Sequence, residues 1–145
     1  MDFLSGMRVS SSGMAAQRKR LDTISSNIAN VNTTRTAEGG PYRRKDVVLV
    51  SVPDQKTFGE ILTDESQRAV SQVQVDDIHI DRGAPLLKYE PNHPDANAQG
   101  YVAYPNINVM EEMTNMIQAT RSYEANVSTM NATKKMALSA LEIGR

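Results

Sequence analysis

The chain has no cysteine and no tryptophan among its 145 residues, and only 5% of it is aromatic. Without thiols, neither a disulfide nor a cysteine nucleophile is available, and the redox state of the surroundings does not bear on the fold. With so few aromatic rings, a single compact core of this length lacks its usual large anchors. Eight methionines supply flexible apolar surface instead, a composition suited to packing against partners. Net charge is only −1, so the chain as a whole is no polyanion binder. No apolar run approaches the roughly 18 residues of a membrane span, and the N-terminus lacks the continuous apolar stretch of a cleavable signal peptide. The sequence also contains no G-x-G-x-x-G and no phosphate-binding lysine loop. Its two histidines, His79 and His93, have no zinc-type spacing to another ligand.

What is there is periodic. Phe3, Met7, Ser10, Met14, Gln17, Leu21, Ile24, Ile28 and Val31 are spaced alternately four and three apart, the seam of a coiled coil with two polar interruptions. Val109, Met113, Met116, Thr120, Tyr123, Val127, Met130, Lys134, Ala137 and Leu141 repeat that spacing at the other end of the chain. A second row at Met110, Ile117 and Leu138 widens the apolar face. Helical from 106 to 142, this segment is roughly 55 Å long at about 1.5 Å per residue.

The middle differs in kind. AEGGPY at 37–42 breaks the helix, and DVVLVSV at 46–52, closed by Pro53, reads as a strand. QVQVDDIHID at 72–81 alternates and then slips: Val73 and Val75 share one face, whereas Ile78 and Ile80 fall in the opposite register. One extra residue near Asp76 and Asp77, a β-bulge, restores a single buried face. Residues 91–105, with three prolines and a glycine, read as loop or extended chain. The expected fold is therefore mainly α. Long terminal helices pair as a coiled-coil hairpin around a small β-rich middle, with divisions at 1–36, 37–105 and 106–145, the first and last forming one core. Charge is uneven along this plan: +5 over residues 1–45, −6 over 46–104 and zero over 105–145. Two long striped helices cannot be covered by so small a middle, and an exposed apolar row is costly. Stacking of many copies covers them, which points to a subunit of an assembly.

Clusters that imitate chemistry have plainer readings. Asp77, His79 and Asp81 share one strand face and suit a metal, but a solvated strand face explains them as well. DANAQG at 95–100 imitates a calcium loop, yet Asn106 stands where a bidentate glutamate is needed, and Pro91 and Pro94 forbid the preceding helix. A turn is the better reading. The basic runs at 18–20 and 43–45 have no interleaved aromatics and fit solvent or subunit contacts rather than nucleic acid.

At both ends the sequence resembles the bacterial flagellar axial proteins. SSGMAAQRKRLDTISSNIANVNTT at 11–34 is similar to their N-terminal signature, S-N-I/L-A-N-x-x-T after a helix, and YRRKDVVL at 42–49 resembles the stretch that follows. The segment from Asn108 to Arg145 resembles their C-terminal helix, and YEPNHPDANAQGYVAYPNINV at 89–109 is similar to the approach found in proximal-rod members. The resemblance implies a non-enzymatic structural subunit without cofactor, assembling helically into a tubular drive shaft that transmits torque and forms the export channel. It implies passage through the flagellar type III export apparatus without a cleavable signal peptide, and residence in the basal-body rod in the periplasm. Implied partners are further copies, other rod subunits, and inner-membrane ring or basal-body adaptor proteins, with no nucleic acid and no membrane span.

In that setting Met7, Met14, Leu21, Ile24, Ile28, Met113, Ile117, Tyr123, Val127, Met130 and Leu141 are the expected subunit-packing residues. Asn27, Asn30, Asn32, Thr33 and Thr34 can hydrogen-bond nearby backbone groups. They are expected to end the first helix and hold a turn toward the middle, with Asn tolerating left-handed geometry, and to cap groups of adjacent subunits. A non-enzymatic coiled-coil adaptor or binding module of a secretion system is the rival reading.

Overall fold

The computed structural model describes residues 3–53 and 71–143. Helix α1 runs Phe3–Ala29 and helix α2 runs Val109–Ile143. Between them lie two antiparallel hairpins: β1 (Lys45–Pro53) with β2 (Ser71–Ile80), and β3 (Leu86–Tyr89) with β4 (Tyr101–Tyr104). The fold is mainly helical with a small β middle, as the periodicities imply.

The two helices pack on each other in antiparallel register. Asn27 meets Glu112, and Gly13 meets Asn126, so fourteen residues back along α1 correspond to fourteen forward along α2. A Cβ on Gly13 would stand 3.1 Å from the Asn126 amide nitrogen, so glycine allows the close approach here. Ala16 and Ala119 are buried, as are Ile24, Val47, Val102 and Ile107. Among the described residues this core is built of small and aliphatic side chains, with no aromatic ring buried in it. The β1–β2 hairpin lies against α1, and the Val73 amide donates to Ser12 Oγ at 3.1 Å. Helix α1 is thus covered by both α2 and the hairpin.

The bulge inferred from the slipped alternation is present. Val48 pairs with Asp77 and Leu49 with Val75, which leaves Asp76 as the extra residue. It brings Val73, Val75 and Ile78 to partly buried positions, while Ile80 stays exposed. Of the two readings of 91–105, the extended one holds at 101–104, which forms a strand pairing with 86–89. DANAQG does form a turn. Asn97 Oδ1 accepts the Gln99 and Tyr101 amides, both at 2.9 Å, and Gly100 takes φ +80°. Among the described residues no three of His, Cys, Asp or Glu come together to hold a metal, and no helix is long and apolar enough to cross a membrane.

Candidate functional site

The Asn- and Thr-rich stretch after α1 closes the helix and then ties the chain together. The Asn30 amide nitrogens of backbone and side chain both donate to the Ser26 carbonyl, at 3.1 and 2.8 Å. Thr33 donates to Asn30 Oδ1 at 3.2 Å, and its carbonyl accepts the Tyr42 amide at 3.0 Å. Thr34 Oγ1 donates to Asp95 at 2.8 Å, reaching the β3–β4 turn region, and Arg35 approaches the same carboxylate at 3.7 Å. The left-handed geometry expected of these asparagines does not occur. Among the described residues only glycines have positive φ, and Gly39 and Gly40 make the reversal. Side-chain hydrogen bonds to the last carbonyls suffice to stop the helix, so no residue has to bear left-handed strain.

Asn27 is the centre of the arrangement, and only 1% of it is exposed. Its Oδ1 accepts the Lys45 amide at 3.0 Å and the Tyr42 hydroxyl at 3.1 Å. Its Nδ2 donates to the Lys45 carbonyl at 2.8 Å and to Glu112 Oε2 at 3.1 Å. All four bonds open to a primary amide are made. By bonding both polar groups of one backbone unit, Asn27 acts as a neighbouring strand and pins the first residue of β1.

Glu112 completes the cluster from the first turn of α2, also 1% exposed. Its second oxygen accepts Arg44 Nε at 2.7 Å, a charge-assisted bond at the short end of the usual range. Burial alone would depress the Arg44 guanidinium; the hydrogen bond and charge of Glu112, with Asp46 and Glu111 behind it, outweigh this and hold it above its ordinary value. Ser26 Oγ lies 3.2 Å from the Tyr42 oxygen, and Lys45 Nζ sits 5.6 Å over the Tyr42 ring. Asn108 caps α2 by accepting the Met110 amide at 3.1 Å, which sets the helix phase that aims Glu112 inward. The basic run at 43–45 is therefore partly engaged within its own chain, at Arg44. Sequence reasoning missed Glu112, because an acidic residue in the first turn of a helix reads as a partner of the dipole rather than as a buried group.

The expected packing residues fall into three groups. Ile24 is buried. Met7, Met14, Leu21, Ile28, Tyr123, Val127 and Met130 are partly covered within the chain. Met113, Ile117 and Leu141 are open, at 48%, 55% and 71% exposure. Asn30, Thr33 and Thr34 are partly buried, whereas Asn32 is exposed. Met110 and Leu138, the second row on α2, are exposed too.

Two family models match this chain: flagella basal body rod protein over residues 7–35, and flagellar basal body rod FlgEFG protein C-terminal over residues 98–143. They cover most of α1 with its Asn-rich end, and β4 with α2, the elements that supply Asn27 and Glu112, and they point to the class of flagellar basal-body rod proteins. The chain is 45% identical to flagellar basal-body rod protein FlgC of Bacillus subtilis (strain 168), over 100% of both chains. It is 44% identical to FlgC of Borreliella burgdorferi, over 99% of this chain and 98% of that one, and 37% identical to FlgC of Salmonella typhimurium over the full length of both. The chain belongs to the FlgC family of flagellar basal-body rod proteins.

Proposed function

We propose that this chain is a non-enzymatic structural subunit of the proximal rod of the flagellar basal body. The observation that carries this reading, beside family membership, is the open apolar row on α2. Met110, Met113 and Ile117 at one end, with Leu138 and Leu141 at the other, stay exposed after the chain has folded on itself. A helix that keeps such a row has surface left for neighbours. In the rod, residues 1–36 and 106–145 form the tube wall as one core, wound as a coiled coil, and 37–105 lies outside it. Met116, Tyr123, Met130 and Ala137 support the coiled-coil winding, since all four are partly buried and recur every seventh residue.

The subunit packs through the open α2 residues Met113, Ile117 and Leu141, and through the rims of the half-covered ones. It assembles helically with other rod subunits into a tube that transmits torque and encloses the export channel. It reaches the periplasm through the flagellar type III export apparatus and meets inner-membrane ring or basal-body adaptor proteins at the rod's base. The test is replacement. Expressed in a Bacillus subtilis strain that lacks its own FlgC, the chain should restore swimming and co-purify with basal bodies. A chain that stays in the soluble fraction while basal bodies remain incomplete would instead be an adaptor.

A further inference from the structure

The Asn27–Glu112 cluster joins three separate parts of the chain: the end of α1, the junction at 42–45, and the first turn of α2. Its bonds span 15, 18, 68 and 85 residues of sequence. None of these segments closes it alone. Glu112 offers one carboxylate oxygen to α1 and the other to the junction, and Asn27 divides its amide between α2 and the junction. When α2 leaves α1, Asn27 and Arg44 lose a shared buried partner together. We infer that the cluster is a three-way latch, through which pairing of α2 with α1 fixes the direction in which β1 leaves the helices. The β1–β2 hairpin, which also rests on α1 through Ser12, would then be held most firmly in the paired state, since the next contact outward, the Asp81 amide to the Arg44 carbonyl at 2.8 Å, is made to a latch residue. In a rod wall this device would aim the outer part of each subunit once its helices close.

The test is residue-resolved amide hydrogen exchange on the full-length chain. The Lys45 amide donates directly to Asn27, the Asp81 amide reads the neighbouring contact, and the Glu90 amide, bonded to the Gly100 carbonyl in the β3–β4 hairpin, serves as control. Gly13→Leu pries the helices apart at Asn126, about 21 Å along α1 from Asn27 at about 1.5 Å per residue. It should speed exchange at Lys45 and Asp81 at least tenfold while leaving Glu90 within twofold. Glu112→Gln keeps the shape but replaces one of the two acceptor oxygens by a donor facing Asn27 or Arg44, and should produce the same pattern without touching the Gly13 contact. Unchanged exchange at Lys45 and Asp81 in either variant would overturn the latch. So would equal acceleration at Glu90, because that is general unfolding rather than release of the junction.

Discussion

Asn27 and Asn32 sit five residues apart in the same polar stretch, yet their environments oppose each other. Asn27→Ala leaves the Lys45 amide and carbonyl, the Tyr42 hydroxyl and one Glu112 oxygen without their partner in a buried site. Leaving buried polar groups unsatisfied costs about 1–3 kcal/mol, so urea unfolding should show a loss of that size. Asn32→Ala, at an exposed position, should stay within about 0.5 kcal/mol of the parent. Equal effects would mean that the stretch acts only as a generic helix stop. A second local prediction concerns Glu90, which accepts from Lys88 Nζ at 2.6 Å and from the Tyr104 hydroxyl at 2.9 Å. These hydrogen bonds, Lys88 first, hold its carboxyl below the ordinary value. A depressed folded value means that the pair's support is present above the unfolded carboxylate range and fades as pH falls through the lowered midpoint. An NMR titration should place the Glu90 midpoint below that of an ordinary glutamate, and Lys88→Ala should move it up; a midpoint that ignores Lys88 would contradict the assignment.

The elements differ in how plainly the sequence announces them. The bulge at Asp76 was readable because four β-branched residues, Val73, Val75, Ile78 and Ile80, change register at one place, and only one extra residue reconciles them. Both long helices follow from sustained heptads. Strands β3 and β4 were not readable, since LLKY and YVAY are four residues each and too short for alternation to show. Their pairing depends on the turn at Asn97 and Gly100 bringing them together. On α2 the positions turned most fully inward, Glu112 and Ala119, are acidic and small, so a hydrophobic pattern passes over them. A buried carboxylate becomes visible only when its distant partners, Asn27 and Arg44, are known. The same helix yields a clear element-level prediction. Ile117 is 55% exposed in the folded chain, so Ile117→Glu should change its unfolding midpoint little, by about 0.5 kcal/mol or less. It should nevertheless abolish swimming when it replaces the parent, because an uncompensated charge then lies in a subunit contact. Normal swimming by this variant would remove Ile117 from the packing surface.

For the molecule as a whole, the features fit a part designed to be completed by others. Its core is small and aliphatic, α1 is covered on two sides, and α2 keeps large apolar side chains open towards both of its ends. The junction cluster spends its hydrogen bonds inside the chain, so the Asn-rich motif serves the subunit's own geometry before any neighbour. On the function proposed above, assembly uses the outer face of α2. Electron cryo-microscopy of basal bodies whose only FlgC-type subunit is this chain tests that claim most directly. The account predicts α1 and α2 paired antiparallel in the rod wall, β1–β2 outside them, and Ile117 in contact with a neighbouring subunit. A reconstruction with the outer face of α2 open to solvent, or with the helix pair outside the wall, would contradict it.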